Sequence, residues 1–284
     1  MSTRANISDA YIVVLDIAGD AVRALLFDSE ARRVEGYAAQ MPRRAGAATD
    51  CLDEVHRLVV EAGFRVGAVV GPAEDRSYWP AFQGASWFPS LPDGAAVMLG
   101  SGCVGWEQVA LVIADSSLVG TVVETQISVD GLACVQIDEK RWMLSGAVPE
   151  AGAAYSSFKH SIKGSVEKYL ENAAEGDPLL AGLDAAGLRF REIYQALAGH
   201  GSAPLQVIGC GSAMMKAPAL AQRIADAVGV PLMLSTELEP GARGAALWAL
   251  ERIGAIGHLG ALPASMGRVF EAKPLDAMAT GHSE

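Results

Sequence analysis

Residues 11–27 read Tyr11-Ile12-Val13-Val14-Leu15-Asp16-Ile17-Ala18-Gly19-Asp20-Ala21-Val22-Arg23-Ala24-Leu25-Leu26-Phe27. A β-branched apolar run ends in an acid, the short turn Ala18-Gly19-Asp20 follows, and a second apolar run leaves it; this is the pattern of a β-hairpin. Val34–Gln40 extends it as the third strand of a meander. Leu52, Val55, Leu58 and Val59 then recur at helical spacing within Thr49–Ala62, and Gly63 stands where a C-terminal cap belongs. Val66–Val70 is a short buried strand closed by Gly71-Pro72.

The same unit returns. Val109–Ile113, the turn Ala114-Asp115-Ser116 and Leu118–Glu124 form a second strand–turn–strand, and Ala133–Ile137 and Arg141–Ser145 add strand around a charged turn. This weak internal repeat predicts a duplicated α/β architecture. Between the repeats, Ala73–Pro92 reads as irregular. Beyond them, Ala154–Asn172 and Leu183–Ala198 are predicted helices, and Leu205–Ile208 is a strand running into Gly209-Cys210-Gly211-Ser212. Pro218–Val228 is a helix, Leu232–Leu234 a strand and Gly241–Ile253 a helix, while the residues after Leu262 read as a mixed, fraying tail. The expected domains are therefore 1–146 and 147–262, with a tail over 263–284.

Composition narrows the classes. The 284 residues are 51% hydrophobic and 19% charged, enough to fill a core. A net charge of -11 repels a phosphate backbone, which argues against nucleic acid as a partner. No apolar run reaches the roughly 20 residues of a membrane helix, and Met1–Ala10 lacks the apolar core of a signal peptide. The cysteines at 51, 103, 134 and 210 form no Cys-x-x-Cys pair, and His56, His160, His200, His258 and His282 have no zinc-ligand spacing. These features place the chain in a reducing cytoplasm, with its cysteines as small buried apolar groups.

Three features can carry chemistry. A tight turn after a buried strand aims several backbone N–H groups one way, and glycine lets a phosphate approach them, so the turns at 18–20 and 114–116 are candidate phosphate contacts; the same residues also suit an ordinary hairpin. Gly209-Cys210-Gly211-Ser212, between a strand and a helix, can hold an adenosine or phosphate group or serve as plain loop punctuation. Asp93, in Leu91-Pro92-Asp93-Gly94-Ala95-Ala96, can accept a proton from an attacking hydroxyl or cap a helix.

Taken together and in order, four stretches resemble the FGGY carbohydrate kinases, the gluconokinase and xylulokinase branch especially. They are Val14–Ile17 with Arg23–Asp28; Trp87–Pro89 through Asp93-Gly94-Ala95 to Gly100-Ser101-Gly102-Cys103; Ala110–Ile113 onward; and Gly211–Pro218 through Asp226, with Glu239 and Arg243-Gly244-Ala245-Ala246. The resemblance implies an actin-like ATPase (ribonuclease H-like) fold of duplicated domains, the first trimmed, with ATP and Mg2+ as cofactors and a sugar or polyol hydroxyl as acceptor. It implies that Asp93 is the general base and that Asp16 holds magnesium through water. Ala18, Gly19, Asp20, Ala114, Asp115 and Ser116 would meet phosphates, and Gly209, Gly211 and Ser212 the adenosine side.

The chain also departs from that pattern. Both family turns read Gly-Thr-Ser, and here they read Ala18-Gly19-Asp20 and Ala114-Asp115-Ser116. The stretch from Asp16 to Asp93 is far shorter than the family's, and the Pro-Phe…Gly-Glu-Arg segment is missing, with only Glu171–Asp177 in its place. Three readings follow. One is an active kinase with a trimmed sugar site. Another is a catalytically inactive homologue that binds a small molecule or a partner protein. The third is a structural subunit whose Trp79, Trp87 and Phe88 contact a second copy.

Overall fold

Tyr11–Ala18 (β1) and Ala21–Phe27 (β2) pair antiparallel in unbroken register from Ile12 opposite Phe27 to Ala18 opposite Ala21, so the opening hairpin forms as expected. The computed structural model describes residues 10–18, 20–71, 79–114, 117–174, 176–200 and 205–273. Chain contacts divide the protein into one unit of residues 1–100 with 239–263 and a second of 101–238 with 264–284.

In the first unit, Arg33–Pro42 (β3) continues the meander, and Val66–Val70 (β4) and Ser86–Phe88 (β5) add parallel strands, in the order β3-β2-β1-β4-β5. The helix Ala47–Ala62 (α1) presents Cys51, Leu52, Val55 and Val59 to the sheet and ends on Gly63 at φ 69°, the left-handed cap that glycine supplies without strain. Two elements escaped the sequence reading. β5 has three residues, too few to show a period. Asp93–Gly100 (α2) is nearly all small or apolar and has no polar face. It is buried against Pro240–Arg252 (α8), where a Cβ on Gly100 would stand 1.7 Å from the Pro240 carbonyl oxygen and one on Gly244 1.9 Å from that of Ala96. Arg243, only 5% exposed, donates from Nη1 to the Gly100 carbonyl at 2.9 Å and from Nη2 to those of Leu262 and Pro263, both at 3.0 Å.

The second unit repeats the first. Gln108–Val112 (β6), Leu118–Val123 (β7) and Trp142–Ala147 (β9) form the antiparallel meander, with Ala133–Gln136 (β8) added at its edge. Gln206–Cys210 (β10) and Leu232–Ser235 (β11) pair parallel beyond β6. The central order β9-β7-β6-β10-β11 reproduces β3-β2-β1-β4-β5 strand for strand and sense for sense. The helices Pro149–Ser161 (α3), Val166–Asn172 (α4), Ala181–Ala198 (α5), Ser212–Lys216 (α6) and Pro218–Val228 (α7) accompany this sheet.

Several expectations need correction. The helix read over Ala154–Asn172 is two, because Ile162 turns extended, Gly164 takes φ 115° and Ser165 restarts the chain by accepting the Lys168 N–H. The boundary expected at 146 falls inside the second sheet: β6 and β10 share five paired positions, so residues 108–112 and 206–210 belong to one unit. α8, read as part of the second domain, belongs to the first unit. The tail over 263–284 includes an edge strand, Met266–Phe270 (β12), antiparallel to β11; only Phe270 in it is buried, so no alternation announced it. Trp79 does not form an outer surface: it is 1% exposed, stacks on Trp87 at 5.9 Å and donates Nε1–H to Asp53 Oδ1 at 2.7 Å. Phe88 meets Trp248 edge-on at 5.2 Å within the same unit.

Candidate functional site

Parallel neighbours deliver their C-terminal ends side by side, and open α/β sheets bind ligands there. In the second unit β6 and β10 end with Val112 opposite Cys210, and the Ile113 N–H donates to the Cys210 carbonyl at 3.2 Å. The start of the 114–116 turn and the Gly211 link, 97 residues apart in the numbering, therefore meet. Gly211 has φ 113°, and a Cβ on it would lie 2.4 Å from the Ile113 carbonyl oxygen, so both conformation and space demand glycine. Ser212 is exposed and opens α6. Gly209 is different: it is buried within β10, where a Cβ would stand 2.5 Å from Leu232 Cδ2, so it serves strand packing and not the loop.

Ser117, not singled out in the sequence, fixes the turn. Its Oγ donates to the Ala114 carbonyl at 2.6 Å and accepts the Ala114 N–H at 3.2 Å. Gly152 of α3 lies beneath, and a Cβ there would come within 2.2 Å of the Ala114 oxygen. A hydroxyl closing a turn three residues back is a readable local signal; the close approach of Gly152 is not. Asp115 and Ser116 lie outside the described residues.

In the first unit, Asp16 stands opposite Arg23 across the hairpin. Arg23 donates to Asp16 Oδ2 from Nε at 3.1 Å and more closely from Nη2. Arg23 Nη1 also lies 2.8 Å from Glu239 Oε2, and Arg33 Nη1 donates to Glu239 Oε1 at 2.9 Å, giving a chain of alternating charge, Asp16–Arg23–Glu239–Arg33. The register makes the first pair legible once the turn is placed; the involvement of Glu239, more than 200 positions away, is purely tertiary. Ala18 closes β1, and Gly19 lies outside the described residues. Asp20 is exposed at the tip, where its carbonyl accepts the Arg43 N–H at 2.7 Å and its carboxylate has no partner among the described residues. Asp93 is the exposed first residue of α2, also without a side-chain partner among the described residues, where the helix dipole favours its charge. Cys103 and Cys210 are pushed up to about 12 by burial, which keeps them as thiols and removes them as nucleophiles.

Residues 159–251 match the FGGY family of carbohydrate kinases, C-terminal domain. That match spans about a third of the chain. The fold is similar to that of gluconate kinase from Lactobacillus acidophilus, with a TM-score of 0.72 at 11% identity over 96% of this chain and 95% of that one. Xylulose kinase from the same organism gives 0.69 at 11% identity, covering 95% of each chain. Plasmodium falciparum glycerol kinase with ADP gives 0.57 at 11% identity over 84% of this chain and 56% of that one. No curated protein matches the sequence. Among the described residues no helix is long and apolar enough to cross a membrane.

The residues fit the implied cofactors unequally. Magnesium keeps most of its water and takes one or two carboxylates plus phosphate oxygens. Asp16 Oδ1, left open by Arg23 on a side chain 23% exposed, fits a water-mediated contact. Among the described residues no three acidic, His or Cys side chains gather around a metal position. Asp20 does not fit a phosphate: its carboxylate offers acceptors only, with the charge of the group it would face.

Proposed function

We propose that this kinase-like chain is a catalytically inactive carbohydrate kinase homologue that acts as a small-molecule-binding or regulatory partner protein. The observation carrying this reading is Asp20, an exposed carboxylate at the tip of the first turn, unpaired among the described residues. Like charges ~4 Å apart at an effective dielectric of ~20 repel by roughly 4 kcal/mol, about half of a micromolar binding free energy. Phosphoryl transfer depends on positioning and on charge stabilisation of the phosphates, so a wrong charge at the tip acts on the step itself.

Thermal unfolding with millimolar MgATP and MgADP tests this. A nucleotide at ~100 times its dissociation constant adds about 2.7 kcal/mol, several degrees for a chain of this size. The native chain is expected to show no shift and no ATP consumption with any sugar or polyol, whereas Asp20→Ser is expected to gain a shift. Turnover by the native chain with one sugar would overturn the proposal.

A second reading, ATP-dependent phosphoryl transfer to a sugar or polyol hydroxyl in the cytoplasm, is favoured by one observation. Asp93 is exposed and has no side-chain partner among the described residues, which leaves it available as a general base. That reading requires sugar-stimulated ATP consumption that disappears in Asp93→Asn.

A further inference from the structure

The second unit holds a cavity of about 770 Å³, within the size range of small-molecule sites, bounded by α4, α5, α7 and β12. Most of its charges are already committed. Arg223 forks onto Asp184 at 2.7 and 2.8 Å, Glu167 accepts the Ala219 N–H at the start of α7 at 2.9 Å, and Lys273 lies 3.8 Å from Asp226. Two guanidinium groups remain. Arg191 makes no hydrogen bond or ion pair among the described residues, and Arg268 lies over the Phe270 ring at 5.0 Å with its N–H edge unpaired among them. The lining also has an apolar part, Leu188, which is 58% exposed on its helix, with Pro218, Ala219 and Ala227. Glu171, exposed and likewise without a partner among the described residues, is the one uncommitted acid of the lining.

We infer that this cavity binds a small organic compound carrying a single oxyanion, phosphate or carboxylate, on an apolar body. Two guanidinium groups unpaired among the described residues match the oxygens of such a group, and Leu188 with Pro218 and Ala227 covers the body. Glu171 disfavours a second anionic group on the ligand. The Gly211 link, Ala114 and the hairpin of the first unit contribute no residue to the lining, so this inference and the proposed function fail independently.

Titration calorimetry of the full chain with phenyl phosphate, benzoate, inorganic phosphate and phenol tests it. Phenyl phosphate and benzoate distinguish the two oxyanions, and phenol and inorganic phosphate isolate the body and the charge. Binding of phenyl phosphate or benzoate, weakened at least about tenfold in Arg191→Gln/Arg268→Gln and strengthened in Glu171→Gln, is expected. Arg189→Gln, whose partner Glu192 lies outside the lining, is expected to bind as the native chain does. The substituted side chains are exposed or half-buried, and unchanged thermal unfolding of each variant confirms its fold. No binding of either aromatic anion up to about 10 mM, or binding unchanged in the double variant, would overturn the inference.

Discussion

The two hairpins of this molecule occupy the same place in the same strand order and are held by different physics. In the first unit the hairpin is tied sideways by charge, Asp16 to Arg23 to Glu239 to Arg33. In the second it is closed from within by one hydroxyl, Ser117 on both backbone groups of Ala114, over the glycine floor at 152. A duplicated topology therefore does not imply a duplicated site. Strand order is set by burial, which both copies share, whereas each turn is set by a few local groups free to diverge.

The largest expected effect tests whether each unit depends on its close backbone contacts. Gly244→Val places methyl groups into the α2 backbone, leaves no flexible side chain to yield, and is expected to cost more than about 3 kcal/mol. Urea unfolding followed at Trp79, Trp87 and Trp248, all in the first unit, checks this. Gly152→Val in the second unit is expected to cost less, because Gly152 is only partly buried.

Next comes Arg243→Met, which removes the donor to three backbone carbonyls and is expected to cost about 2–3 kcal/mol, read as a lowered urea midpoint. If the loss were negligible, the packing of α2 on α8 would stand on apolar contact alone, and the contrast between a charged and a neutral unit would weaken.

Ser117→Ala probes the neutral turn and is expected to cost about 1 kcal/mol in thermal unfolding. The matching change in the charged hairpin, Arg23→Met, leaves Asp16 half-buried without its partner and is expected to cost more. The reverse order would show that the hydroxyl carries more than the ion-pair chain.

The smallest effect is on pH dependence. Tyr169 donates its hydroxyl to Asp177 Oδ2 at 2.7 Å, which holds the Asp177 carboxyl below its ordinary 3.8 and raises the Tyr169 phenol above its ordinary 10. The depressed carboxyl contributes stability above its unfolded value that is lost as pH falls through the folded one. The raised phenol contributes below its unfolded value and loses it as pH rises through the folded one. Stability measured across pH is therefore expected to lose this increment at both extremes; Tyr169→Phe is expected to remove the alkaline loss and to reduce the acid one, because the Leu179 N–H still reaches Asp177 Oδ1 at 2.9 Å.

Much of the fold was legible because it rests on apolar periods. The two apolar runs of Tyr11–Phe27, the helical spacing of Leu52, Val55 and Val59, and the recurrence at Val109–Glu124 determined the strands, α1 and the duplication. Elements without a period stayed hidden: β5 is too short, α2 too uniformly apolar, and β12 exposed but for Phe270. The sequence also marked Gly211, as part of a glycine-bearing link from strand to helix, whereas the pairing of Asp16 with Arg23 came from the register of the folded hairpin. Tertiary structure alone decided that Ile113 meets Cys210, that Glu239 completes the ion-pair chain, that α8 joins the first unit, and that Arg191 and Arg268 share a cavity. Those contacts join residues tens to hundreds of positions apart, and local sequence patterns carry no record of which distant surfaces burial will bring together.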